Sequence, residues 1–168
     1  MTGRKTLVSG SKLRSAARGL PTGVTIVIGG RGADAHGLTV NSFATLSLDP
    51  PLVSFCLKEG ARLHPRMAET REFVVSILAE DQAGLALRFA DPSRPAGFAG
   101  VETTSLPGTG GLVVAGAVGY FECRVRSMAP MGDHTLMVGE VTGCDILRDH
   151  PPLLFAGGRL HRLGSALA

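Results

Sequence analysis

The sequence predicts a mainly β fold: an antiparallel sheet, closed or nearly closed into a barrel, with two or three short helices. Three observations predict it. Apolar and polar residues alternate with period two in several separate runs, which is the mark of strands with one face buried. The runs are short and separated by Gly, Pro and Asp clusters, and 23 of the 168 residues are glycine. The intervening helical patterns are few and too short to cross over between parallel strands. At 168 residues with 44% apolar and 18% charged side chains, the chain is large and greasy enough for one packed core.

Taken in order, residues 1–11 read as a flexible basic tail and 12–168 as a single domain. Leu13, Ala16, Ala17 and Leu20 follow the i, i+3, i+4, i+7 template, so a short helix ends near Pro21. The β-branched run 24–28 is a buried strand, and 29–37 is a turn. Next comes the run 38–48. Leu38, Val40, Ala44, Leu46 and Leu48 fall on one parity and are expected to pack inward. Thr39, Asn41, Thr45 and Ser47 fall on the other. Ser42 and Phe43 invert the pattern, which predicts a bulge or twist halfway. The polar parity has two readings: a solvent-facing edge strand, or a ledge for a polar, planar ligand.

Asp49-Pro50-Pro51 turns the chain into a partner strand over 52–57. A helix begins at His64-Pro65 and runs to about residue 69, with proline in its first turn. Residues 73–78 form a strand. Leu85, Ala86 and Phe89 argue a second helix over 80–90, with Glu80 and Asp81 at its positive end. Residues 91–111, rich in Pro and Gly, read as one long surface loop of the kind that forms lids. Residues 117–126 alternate as a half-buried strand. A hairpin loop is expected over 128–133 and a return strand over 135–147. Short strands at 153–155 and 159–163 close the chain.

Charge and cysteines exclude several classes. The net charge is +3, but Arg4, Lys5, Lys12, Arg14 and Arg18 all precede residue 20. Basic charge confined to one end without interleaved aromatics is a poor nucleic-acid footprint, so no nucleic-acid partner is expected. No apolar run reaches the roughly 18 residues that read as a membrane-spanning helix, so no membrane partner is expected either. Cys56, Cys123 and Cys144 each sit in a strand-like run and read as buried, reduced thiols of a cytoplasmic protein.

Among the motifs, Gly30-Arg31-Gly32-Ala33-Asp34-Ala35 fits G-x-G-x-x-A after a strand, with Asp49 further on. A dinucleotide fingerprint requires those glycines to open a helix. The residues that follow alternate with period two, so the glycines read as a hairpin turn. His36, His64, His134, His150 and His161 have no H-x-x-x-H or C-x-x-C partners, so no metal site is expected. No serine elbow and no phosphate loop of the Walker type is present. Gly132-Asp133-His134-Thr135 is a turn whose histidine is either an ordinary rim residue or a group that meets a ligand.

Assembled in order, these residues resemble the flavin reductase family, which is built on the FMN-binding split barrel. The resemblance spans about residues 12–163. It rests on Pro21-Thr22-Gly23-Val24, Gly37-Leu38-Thr39-Val40-Asn41-Ser42-Phe43, Ser47-Leu48-Asp49-Pro50-Pro51-Leu52, Arg88-Phe89-Ala90, Phe98-Ala99-Gly100, Gly132-Asp133-His134 and Leu153-Leu154-Phe155. It implies a homodimer that binds FMN or FAD non-covalently, takes NADH or NADPH as electron donor, and supplies reduced flavin to a flavin-dependent monooxygenase component. Alternatives are a flavoprotein reducing another small acceptor and a flavin binder without catalysis.

By position, the resemblance places Thr39, Val40, Asn41 and Ser42 along the isoalloxazine ring and ribityl chain, with Ser47 nearby. Phe55, Cys56, Leu57 and onward to Arg62 run beside the ribityl and phosphate end. Arg62 is the implied phosphate partner, since a guanidinium matches phosphate bidentately. Arg88 and Phe89 approach the same end. His134 is the implied catalytic residue by the reacting rings, and Gly157, Gly158 and Arg159 lie on the nicotinamide side. Ala61 and Leu63 stand where relatives commonly carry hydroxyls, and Ala156 and Gly157 stand where relatives often carry an aromatic or basic residue.

Overall fold

A computed structural model describes residues 7–107 and 109–165. Its centre is a seven-stranded antiparallel sheet. Six of its strands are β2 (Thr25–Gly29), β3 (His36–Val40), β4 (Ala44–Leu48), β5 (Pro51–Lys58), β6 (Glu72–Ile77) and β9 (Gly119–Met131). The seventh, β10 (His134–Ile146), completes the spatial order β3-β2-β6-β9-β10-β5-β4. A second sheet joins β1 (Thr22–Gly23), β11 (Leu154–Ala156) and β12 (Arg159–His161). A hairpin joins β7 (Thr103–Ser105) to β8 (Leu112–Val114). The helices are α1 (Gly10–Ala17), α2 (Leu63–Thr70) and α3 (Ala83–Ala90).

The strand order contains the reason the sheet curls. β3 and β4 are its two opposite edges, yet only Asn41, Ser42 and Phe43 separate them in the chain. A residue reaches roughly 3.3–3.6 Å, so such a link brings the edges together only if the sheet bends round on itself. No ladder joins β3 to β4 among the described residues, which leaves the curled sheet open along a seam.

Two cores result. Inside the curl, Val27, Phe55, Leu57, Phe73, Cys123 and Met137 pack with Leu63 and Met67 of α2. Outside it, Ile26, Ile28, Leu78 and Leu153 pack with Ala86 and Phe89 of α3. β2 feeds both, Val27 to one and Ile26 and Ile28 to the other, so all five of its residues are buried. This is why its sequence shows no polar parity.

Several expectations are corrected. The run 38–48 is two strands on opposite edges and not one bulged strand, because the inversion at Ser42-Phe43 is a complete break. Leu46 and Leu48 do not pack inward: they are 53% and 90% exposed, since β4 is an edge strand with no layer over it. The expected hairpin loop over 128–133 shrinks to Gly132 and Asp133, with β9 continuing to Met131. Gly132, at φ 68°, occupies the first turn position that a tight II′ hairpin reserves for glycine. The long loop over 91–111 contains β7, paired back onto β8. The basic tail over 1–11 lies partly outside the described residues, and α1 already begins at Gly10, capped by the Ser9 hydroxyl accepting from the Lys12 N–H at 3.3 Å. Cys56 and Cys144 are exposed and only Cys123 is buried; all three are free. The glycine-rich stretch is the β2–β3 turn, with Gly30 at φ 84° and Gly32 at φ 53°.

Candidate functional site

β5 has two distinct faces. Phe55 and Leu57 are fully buried in the inner core, so their side chains point into the curl. Cys56 and Lys58 alternate with them and are exposed. Across the ladder Lys58 pairs with His134 and Cys56 with Leu136, which puts His134 on the same outer face. The His134 Nδ1 lies 2.8 Å from the Asp133 carboxylate, which orients the ring and, through that hydrogen bond and the nearby imidazole, holds the Asp133 carboxyl below the usual carboxylate range. Ser42 completes this face. Its hydroxyl accepts from the Cys56 N–H at 3.0 Å, taking over where the β4 ladder ends at Ala44.

The rest of the expected ledge is differently placed. Thr39 donates its hydroxyl to the Ala86 carbonyl of α3 at 2.7 Å, so the polar parity of β3 is turned toward that helix. Val40 is 5% exposed and belongs to the inner core. Asn41 and Ser42 are exposed at the seam. Ser47 lies on β4 opposite Leu52. The ledge therefore offers two polar side chains and their backbone.

A cavity of about 470 Å³ opens between β3, the β5–α2 loop and the start of the loop that follows α3. Lys58, Arg62 and Arg94 line it, with the Phe89 ring and Gly37 on one side. Arg62 donates to the Arg94 and Pro92 carbonyls, each at 2.9 Å. Arg94 donates to the Gly37 carbonyl and lies 4.5 Å over the Phe89 ring centroid. Arg88 donates to the Ala99 carbonyl. Among the described residues, none of Lys58, Arg62, Arg88 and Arg94 has a carboxylate within ion-pair distance, whereas Arg31, Arg66, Arg126 and Arg148 each do. The nearby Asp91 is occupied by Ser93, whose hydroxyl and amide hold its carboxyl below the usual range. Burial, with Arg62 and Arg88 close by, lowers the pKa of Arg94. Lys58, Arg62 and Arg94 thus meet at one cavity that Glu59 and Asp91 also line, and guanidinium and ammonium groups are donors suited to an anion such as phosphate.

Phe89 contributes its buried ring as one wall of that cavity, only 1% exposed. Gly157, Gly158 and Arg159 stand apart, at the β11–β12 turn, where the Gly157 N–H donates to the Arg18 carbonyl at 3.0 Å. No hydrogen bond, ion pair or strand pairing joins them to His134 among the described residues. Sequence reasoning held Lys58 only as part of the run 55–62, without singling it out, and missed Arg94. Arg94 sits in Ser93-Arg94-Pro95 of a presumed solvent loop, and only its return onto Gly37 and Phe89 gives it a place. No group of acidic, His or Cys side chains suited to a metal ion occurs among the described residues.

The curled antiparallel sheet thus carries a cavity lined by Lys58, Arg62 and Arg94 beside the exposed face of β5. The chain belongs to the flavin reductase like domain family, whose model matches residues 17–164. It is 39% identical over 154 residues to an NADH-dependent FAD reductase of Streptomyces globisporus, covering 90% of this chain and 84% of that protein. It is 38% identical over 149 residues to SmoA, an FMN reductase (NADH) of Agrobacterium fabrum, covering 89% and 83%. Among solved structures, BorF, the flavin reductase component of a bacterial two-component tryptophan halogenase, superposes with a TM-score of 0.87 at 32% identity, covering 94% of this chain and all of that one.

Proposed function

We propose that this chain is an NADH-dependent flavin reductase whose reduced flavin serves a separate monooxygenase-type component. The observation that carries the reading is the meeting of Lys58, Arg62 and Arg94, none of them in an ion pair among the described residues, around a cavity next to the outer face of β5 and β10 that Glu59 and Asp91 also line. They take the phosphate end of the flavin. Asn41, Ser42, Cys56 and the backbone of β3 and β5 take the ribityl chain and ring. His134, oriented by Asp133, stands by the reacting atoms as the catalytic residue, and Gly157, Gly158 and Arg159 serve the nicotinamide. Hydride transfer from nicotinamide to flavin is the cofactors' own chemistry. The protein has to bind the two, align them and keep water out.

The working form is a homodimer in the cytoplasm. The open seam, the exposed Leu46 and Leu48 of edge strand β4 and the wholly exposed α1 support a second copy that covers them and completes the nicotinamide side. Three free thiols suit a reducing compartment. The deciding experiment is NADH and NADPH oxidation by the purified protein, alone and with added FMN or FAD. Oxidation of NADH that depends on added flavin is the expected result. No oxidation with either flavin and either nicotinamide overturns the proposal.

A further inference from the structure

We infer that this chain carries a second ligand site, separate from the flavin site, that takes a small zwitterion: an α-amino acid with a short aliphatic side chain. The site is a cavity of about 190 Å³ on the outer face of β6 and β9, roofed by Gly111 and Leu112 at the start of β8. It shares no lining residue with the cavity at Lys58, Arg62 and Arg94. Drug-sized ligands occupy pockets of about 300–1,000 Å³. The smaller volume limits the occupant to a molecule of amino-acid dimensions.

Two charges of each sign line the cavity: Arg31 and Arg124, Glu72 and Glu122. Arg31 and Glu72 form an ion pair with each other. Glu122 and Arg124 remain. Cys123 between them is buried in the inner core, so both point outward from β9 on one face. Neither side chain has an ion pair or a hydrogen bond among the described residues, and the register shows why. The neighbours of Glu122 across the two ladders are Val74 and Gly143, which carry no charge. Those of Arg124 are Glu72 and Glu140, but Arg31 engages the first and Arg126 lies 3.9 Å from the second. The cavity therefore presents one unmatched carboxylate and one unmatched guanidinium, two residues apart on one strand. A ligand with both an ammonium and a carboxylate matches the two and adds no net charge.

Two glycines keep the carboxylate open to the cavity. A Cβ at Gly111 would meet Val74 Cγ2 at 2.8 Å and Glu122 Oε1 at 3.3 Å. A Cβ at Gly143 would lie 3.3 Å from Glu122 Oε2. Side chains at these positions would cover the carboxylate from both flanks. A β-bulge adds a polar group beside it. The register shift between Val141 and Gly143 leaves Thr142 as the extra residue, and its hydroxyl donates to the Glu122 carbonyl at 3.1 Å. The Thr142 oxygen keeps its lone pairs for an ammonium. Val74 and Leu112 supply apolar wall, which suits a short aliphatic side chain and offers nothing to a further charge.

The test is isothermal titration calorimetry of the full-length protein with glycine, L-alanine, L-serine, L-valine and L-leucine. The amide and the N-acetyl derivative of the tightest binder, and ethylamine, serve as controls. At least one of the five amino acids is expected to bind once per chain, at least about tenfold more tightly than each control. Binding by none of the five overturns the inference. A control that binds as tightly as the amino acid overturns it too, because only one of the two charges is then being read. Glu122→Gln and Arg124→Gln locate the site. Each should weaken the binding at least about tenfold while keeping the parent's melting temperature and its flavin-dependent NADH oxidation. Unchanged affinity in both variants places the ligand elsewhere and overturns the assignment. A loss of binding that is matched by a loss of melting temperature in both overturns it as well. Failure of the parent to oxidise NADH with either flavin sinks the reductase reading alone, since the amino acid titration does not depend on it.

Discussion

At the residue scale, the pairing of His134 with Asp133 separates a ring that binds from a ring that orients. The imidazole is held at 2.8 Å by a neighbour on the same turn and stands opposite Lys58 across the ladder. His134→Ala should slow reduction of bound flavin by NADH at least about tenfold, or about 1.4 kcal/mol of barrier, while the flavin dissociation constant changes less than threefold. Stopped-flow bleaching of flavin absorbance reads the first and fluorescence titration the second. Equal losses in both would make His134 a binding group only. The three cysteines give a second residue-scale test. Burial pushes the Cys123 thiol up to about 12, and it sits in the inner core, whereas Cys56 and Cys144 are exposed. Thiolate is the reactive form. Mass spectrometry after brief alkylation of the native protein should therefore find two modified cysteines, with Cys123 reacting only on unfolding. Because Cys56 lies on the proposed flavin face, bound flavin should protect it and not Cys144.

At the element scale, the position of α3 is decided by a missing side chain. Gly37 of β3 lies against the Phe89 ring, and a Cβ there would meet Phe89 and Phe98 ring atoms at 2.8 Å. The same strand anchors the helix through the Thr39 hydroxyl and receives Arg94 at the Gly37 carbonyl. Gly37→Ala should push α3 and the loop behind it outward. Overpacking of this kind costs about 1–3 kcal/mol, which lowers the melting temperature by roughly 2–12 °C for a chain of this size. The flavin dissociation constant should rise in the same variant, since Arg94 and Phe89 line the cationic cavity. A variant with unaltered melting temperature would show that the helix can shift at no cost. The β-branched run of β2, the Asp-Pro-Pro corner and the positions of α2 and α3 were legible in the sequence, because each depends on local pattern or local turn chemistry. The split of 38–48 into two edges was not. Period-two alternation continues on both sides of Ser42-Phe43, and only pairing partners reveal that the two halves belong to opposite ends of the sheet.

At the scale of the whole molecule, the proposed dimer makes a prediction about the exposed apolar side chains. Leu48 is 90% exposed, Ile146 78% and Leu13 63%, and α1 buries no residue at all. These are the side chains that a second copy would cover in the proposed dimer. Gel filtration with light scattering should give twice the 17.4 kDa chain mass. Leu48→Glu, a change at a position with little to lose inside one chain, should shift the protein toward monomer and depress NADH-driven turnover more than it depresses flavin binding. A monomeric parent that turns over at full rate would remove the dimer from the proposal. The apolar stripe of Leu13, Ala16, Ala17 and Leu20 was readable from its spacing, but spacing does not say what a stripe packs against, and no residue of α1 is buried within the described chain.

By itself the sequence determined the mainly β class, the antiparallel connections, the turn nature of the glycine-rich stretch and the resemblance to flavin reductases. Alternation, turn residues and motif order are properties of neighbours in the chain, and they can be read one after another. Only the tertiary structure decided how β3 and β4 become the two edges of one curled sheet. The same is true of the turning of Thr39 toward α3 and the meeting of Lys58, Arg62 and Arg94 around one cavity. Those residues come from two segments, the end of β5 with its following loop and the loop after α3, and the loop carrying Arg94 has no pattern of its own. Long-range pairing and charge convergence depend on where distant segments land, which packing settles and local periodicity does not record.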